Sequence, residues 1–199
     1  RIKIRVKYIF DNIDLELMLT ESCLRKCPFI KKHRDTISLG LDDTTIHLTC
    51  NSKKFSSPDE ILRANFIRPE DMNFYESLGL SSFKITGRSK PSNWLPEVVK
   101  AYLNREYDGN LIRLLGIDPN LHAESWVYLN NSALEGFLKD FPKDRSIVKE
   151  KVYCTSWAKK LLKSQGLKID GFEYDLSKPL ISCKSGLLEF KQKYYSSIK

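Results

Sequence analysis

The chain opens on an alternation. In "RIKIRVKYIF", Ile2, Ile4, Val6, Tyr8 and Phe10 fall on one side of an extended backbone, with basic residues mostly on the other. That period of two is the pattern of a half-buried strand. Asp11-Asn12 turns the chain, and "IDLELML" reads as a second strand running into the loop "TESCLRKCPFIKKH". "TTIHLTC" reads as a further strand with Cys50 at its carboxyl end. "NFIRPEDMNFYESLGL" then predicts a short strand followed by a helix. Pro69 takes the first helical position, Glu70 and Asp71 the first turn, and Met72, Tyr75 and Leu78 recur at helical spacing before Gly79.

"SSFKITGR" predicts another strand. In "PSNWLPEVVKAYLNREYDG", Trp94, Leu95, Val98, Val99, Tyr102 and Leu103 line one side of an amphipathic helix. Pro96 must lie in its first turn, because deeper in it would break the helix. Strand and helix alternating through short joints predict an α/β fold with a parallel sheet or barrel. After Gly109 the pattern turns mostly helical, with candidates in "NLIRLLG", "SALEGFLKDF", "SWAKKLLKSQG" and "GLLEFKQKYYSSI". The expected organisation is a partial βα barrel with a cysteine loop over residues 1–108 and a helical carboxyl-terminal extension over 109–199.

Composition narrows the classes little. Apolar residues make up 41% and charged residues 29% of the chain, enough for a true core. No apolar run approaches the length of a membrane span and there is no secretory leader, so the expectation is a cytoplasmic protein with no membrane partner. The formal net charge is +8, spread over "IKIRVK", "KKHR", "WAKKLLK" and "KQKYY" rather than gathered in one arm. It permits an RNA or anionic small-molecule partner without establishing either. The chain starts on Arg1, which fits a processed product, a trimmed chain or one piece of a longer polypeptide.

Five cysteines are present: Cys23, Cys27, Cys50, Cys154 and Cys183. Without a secretory signal, metal binding and buried free thiols compete as explanations. If the strands before Cys23 and Cys50 are parallel neighbours, Cys23, Cys27 and Cys50 meet at one rim of the sheet. Cys154 precedes the "SWAKKLL" segment, where a helix dipole favours a thiolate. These four are the candidate iron or zinc ligands, and Cys23, Cys27, His33 and Cys50 form an alternative Cys₃His zinc set.

"LMLTESCLRKCPFIKKH", "NFIRPEDMNFYESLGLSSFKITGRSKPSNWLPEVVKAYLNREYDGNL" and "YLNNSALEGFLKDF" together resemble the U32 family, the collagenase-like peptidases. The similarity runs over roughly Leu15 to Leu162 and matches the carboxyl half of short U32-type proteins. The resemblance implies a partial TIM-like barrel in which this chain supplies the later βα units. It also implies a [4Fe–4S] cluster, with Cys23 and Cys27 matching the family's cysteine pair and Cys50 a third ligand. The fourth position is the weak point, since only Cys154 stands in the region where similar proteins carry several cysteines. Eight βα units need about 250 residues, so an amino-terminal barrel half or a partner chain is expected to complete the fold.

The resemblance implies two activities. Peptidase is the family's original assignment, while better-understood relatives carry out oxygen-independent hydroxylation of RNA bases or quinone precursors. The leading expectation is a modification of the hydroxylase type on RNA or a small anionic substrate. The alternatives are a peptidase and a non-catalytic, metal-stabilised subunit. The sequence carries no HExxH and no defensible Ser-His-Asp set. In a barrel the working residues stand at the carboxyl ends of strands. There Glu21 and Glu70 are the candidate catalytic acids or bases. Arg68, Lys84 and Arg88 are the candidate substrate-binding cations, with Lys84 expected to point into the barrel. A purely structural reading stands beside this one: Glu70 and Asp71 as first-turn helix acids, with Arg68 and Arg88 as their partners.

Overall fold

The computed structural model describes residues 15–41, 44–87, 90–117, 122–144 and 146–180. The amino-terminal alternation, Arg88, Cys183 and the expected tail helix lie outside the described residues. Strand β1 (Glu16–Met18) pairs in parallel with β2 (Ser82–Lys84), in the register Glu16↔Ser82, Leu17↔Phe83 and Met18↔Lys84. Parallel neighbours need a long crossover. Here it consists of α1 (Ile30–Ser38), α2 (Thr44–Ser56), α3 (Asp59–Leu62), a 3₁₀ turn (Pro69–Asp71) and α4 (Met72–Ser77). Leu17 and Phe83 pack on the core, whereas Glu16, Met18, Ser82 and Lys84 are exposed, as strand alternation requires.

Helix α5 (Trp94–Asn104) forms where its apolar stripe predicts it, with Pro96 in the first turn and Arg105 closing it in the left-handed conformation. The short α6 (Leu111–Leu115) is capped by Asn110, whose side chain accepts the Ile112 N–H at 3.1 Å. Beyond it, β3 (Val127–Leu129) pairs antiparallel with β4 (Leu167–Ile169), and the intervening α7 (Ile147–Lys163) is the longest described helix. One hydrophobic cluster takes in Leu19, Phe55 and Trp94 from the first part of the chain and Leu129, Leu161 and Leu167 from the second.

Several expectations change. "TTIHLTC" is helical, part of α2, because Leu48, Asn51 and Phe55 recur at helical spacing on a buried face. The "NFI" strand shrinks to one antiparallel bridge between Phe66 and Thr20. "SALEGFLKDF" makes only a 3₁₀ turn (Ser132–Leu134), since Gly136 turns the backbone at φ +81°. "SWAKKLL" belongs to α7, which begins at Ile147 with Ser146 as its cap. Among the described residues the strands form two two-stranded sheets and no closed barrel. No described helix is long and apolar enough to cross a membrane.

Candidate functional site

Three chain segments end side by side. Beyond β1, the Leu19 N–H donates to the Lys84 carbonyl at 2.9 Å, and the Ile67 N–H donates to the Leu19 carbonyl at 3.0 Å. The buried Tyr102 hydroxyl donates to the Ile67 carbonyl at 2.8 Å. Thr20 then ties the ends together: its Oγ1 accepts the Thr86 N–H at 3.0 Å and lies 2.9 Å from the Thr86 hydroxyl. Glu21, Arg68 and Thr86 therefore leave neighbouring segments at one rim.

The Arg68 segment continues into a brace. Arg68, 4% exposed, grips Asp71 with two nitrogens at 2.8 and 2.9 Å and donates to the Asn131 carbonyl at 3.1 Å. Such a fork holds geometry as well as charge. Glu70 Oε1 accepts from the Tyr107 N–H at 2.8 Å and from the Asn131 amide at 2.7 Å. Burial, then the Glu70 and Asp71 carboxylates, raise the Tyr102 hydroxyl well above the usual tyrosine range. Arg68 is thus committed inside the fold and is not a free cation for substrate, and Glu70 links the rim to the second half of the chain. Lys84 is a clear correction: Phe83 faces the core, while Lys84 lies on the solvent side, 3.3 Å from Glu16. Arg88 lies outside the described residues.

The cysteine loop meets α2. Glu21 Oε1 accepts the Cys23 N–H at 2.9 Å. Burial pushes the Cys23 thiol up to about 12 from an ordinary 9.0, with its hydrogen bond to Glu21 adding to the shift. Cys50 and Lys54, one turn apart on α2, are both near enough to act on that thiol electrostatically. Cys27 is half-buried in the following turn. Cys154 is fully buried inside α7 rather than at a helix start, and burial, then Glu150, push it up to about 12. The His33 ring stands edge-on to His47, 4.8 Å between centroids.

Among the described residues, no three His, Cys, Asp or Glu side chains come together as a metal-binding group. A [4Fe–4S] cluster takes four protein ligands. Cys23 and Cys50 come near one another, with Cys50 on a helix instead of at a strand end. Cys154 belongs to the core, and Cys183 lies outside the described residues.

A protonated thiol makes a measurable difference. In the native protein at pH 8, Cys23 is expected to react with iodoacetamide far more slowly than an ordinary thiol. Its thiolate fraction is about a thousandfold smaller. Peptide mapping of timed alkylations reads this directly, and rapid labelling of Cys23 would contradict the geometry.

Two residues at this site carry no signal in the strand reading of "TTIHLTC". Lys54 is 2% exposed and Asn51 is 1% exposed, on the same side of α2 as Cys50. Both polar atoms of the Asn51 amide are buried with no partner among the described residues. A helical reading of Asn51 and Lys54, with the buried Leu48 and Phe55, would have placed them inside.

Along the opposite edge of β1 runs a cleft of about 510 Å³, lined in part by Leu17, Arg25, Arg63, Phe66, Tyr75 and Glu150. Glu150 stands between two arginines there, 3.0 Å from Arg25 Nε and 3.2 Å from Arg63 Nε. Arg63 also reaches Glu60 at 2.9 Å, and Lys151 pairs with Asp59. Helix α7 thereby holds both α3 and the cysteine loop.

A protein of Methanocaldococcus jannaschii, named as an uncharacterized protease, is 34% identical to this chain over 167 residues. The match covers 79% of this chain and 49% of that protein, so the chain spans about half the relative's length. No family model matches the chain, and no solved structure matches it.

Proposed function

We propose that the chain is the carboxyl-terminal half of a U32-type enzyme that modifies an anionic substrate, with oxygen-independent hydroxylation as the reaction class. The observation that carries this reading is the shared rim. The carboxyl ends of parallel β1 and β2 are tied through Thr20 and Thr86, and Glu21 and Cys23 come directly after that tie. In α/β enzymes of barrel type the chemistry is built at that end. The U32 motifs fall on these same segments, and the similarity to a protein named as a protease is in keeping with the family.

In this reading Glu21 fixes the Cys23 loop and is the proton acceptor nearest its thiol. Arg68, Glu70 and Asn131 hold the rim in shape while substrate binds. No step is assigned to a metal cluster, and the oxygen atom and the oxidant for the two-electron hydroxylation come with a separate co-substrate. The rest of the barrel comes from further chain or a partner.

The test is a comparison of RNA nucleosides and small carboxylates from the host with and without the gene, by mass spectrometry. Loss of a species one oxygen atom heavier than its precursor is the expected result. The relative's name favours peptidase as the second reading. Cleavage of unstructured peptides by the purified protein, with no oxygenated species altered, would establish that reading and sink ours.

A further inference from the structure

Strand β1 has one edge that no backbone segment fills among the described residues. In its parallel register with β2, Leu17 sits opposite Phe83, and the Leu19 N–H donates to the Lys84 carbonyl at 2.9 Å. Successive residues of a strand turn their N–H and C=O groups to opposite edges. Leu17 and Leu19 therefore face β2, and the backbone groups of Glu16 and Met18 face the other way. Neither has a backbone partner on that side among the described residues. An edge of this kind is a template for one more strand.

That edge lies in a furrow. Glu16, Leu17 and Met18 all line the cleft of about 510 Å³, together with the aromatic rings of Phe66, Tyr75 and Phe141. Phe141 stands edge-on to the buried Phe137, 5.6 Å between centroids, so its ring is held in place. Two cations line the cleft as well. Lys143 is exposed and has no ion pair among the described residues. Arg25 is partly exposed and, besides its contact with Glu150, makes one long bond of 3.3 Å to Asn65.

These features select the occupant. A donor and an acceptor alternating along an edge are matched by the main chain of an extended peptide. Nucleic-acid phosphates bring acceptors only. The aromatic rings suit bulky apolar side chains, and Lys143 and Arg25 suit acidic ones.

We infer that the open edge of β1 and its cleft form a docking groove for an extended segment of a partner protein, carrying bulky apolar and acidic residues. The segment joins the sheet as a strand beside β1 and is held there, not cut. This role is independent of the reaction proposed above.

The experiment uses the full chain and a fluorescein-labelled hexapeptide alternating phenylalanine with glutamate, followed by fluorescence anisotropy. Two further probes are the same peptide N-methylated on its phenylalanine amides or on its glutamate amides. Only one of these sets can face β1. The wild-type protein should bind the parent peptide. One methylated probe should bind at least about tenfold more weakly, and the other within about threefold of the parent. Met18→Pro removes an edge N–H that β2 does not use, and should weaken binding about fivefold. Lys143→Glu, at an exposed position, covers the case in which proline disturbs β1. It should weaken binding about threefold at low salt, whereas Lys168→Glu, exposed on β4, should leave it unchanged.

No binding by the wild type, equal binding of the two methylated probes, or equal loss from the two lysine changes overturns the groove. So does a structure in which the chain's own residues before β1 fill this edge. Mass spectrometry should recover the peptide intact, and its cleavage would replace docking by the peptidase reading.

Discussion

Replacing Trp94 with alanine is expected to lower stability by about 3–5 kcal/mol. The side chain is fully buried at the start of α5, so the variant opens a cavity that the surrounding helices can only partly close. Its indole Nε1–H donates to the Arg113 carbonyl at 2.7 Å, and the truncation strands that acceptor as well. The ring also lies against Gly87 in the turn that leaves β2. A Cβ at Gly87 would come 2.7 Å from the ring, and the backbone there has φ +129°. Trp94 therefore supports the rim from beneath. Urea denaturation of Trp94→Ala and Trp94→Phe should show a much smaller loss for phenylalanine, which refills most of the space. A loss under about 1 kcal/mol for alanine would mean the turn packs independently of α5.

Removing the Glu150 carboxylate is the second large effect. Side-chain exposures of 6% for Glu150 and 10% for Arg63 make that pair a buried one, while Arg25 at 31% is partly wet. Arg63 keeps its 2.9 Å contact with Glu60, so its charge is not stranded, and losing the Glu150 acceptor costs about 1.5–3 kcal/mol, the worth of a charge-assisted hydrogen bond inside the fold. Solvent screens the Arg25 contact, so most of the loss belongs to Arg63. Glu150→Ala should show this loss in urea titrations. The Arg25 contact has a different consequence: freed from α7, the loop around Lys26 should be cut sooner by trypsin in native conditions. Unchanged cleavage there, with the stability loss intact, would show that the loop is held by something other than α7.

The sequence pattern was most legible where one element carried several agreeing signals. Pro69, the first-turn acids and Gly79 marked a helical segment that forms as expected, and the Trp94–Leu103 stripe marked α5. Asn110 and Gly116 bounded α6. The reading failed where two periods competed. "TTIHLTC" is rich in β-branched residues and alternates over a few positions, so it resembles a strand. Its longer run through Lys54 and Phe55 has helical spacing, and tertiary burial settles the matter in favour of helix. That one exchange moved Cys50 from a strand end to a helix face and hid Lys54 and Asn51. Arg68 and Glu70 were found as rim residues, but their partner Asn131 lies far along the chain. No local spacing shows that a cation is committed to a carbonyl brought near only by folding. Lys84 failed by simple parity: its neighbours Phe83 and Ile85 face the core, so it cannot.

The apolar cluster that passes from Leu19 and Phe55 through Trp94 to Leu129, Leu161 and Leu167 has a bearing on descent as well as on stability. Among the described residues that one cluster spans both portions, so neither offers a ready-made module for recombination to borrow. A substitution near the thiols and a substitution in α7 draw on the same interior and must then be tolerated together.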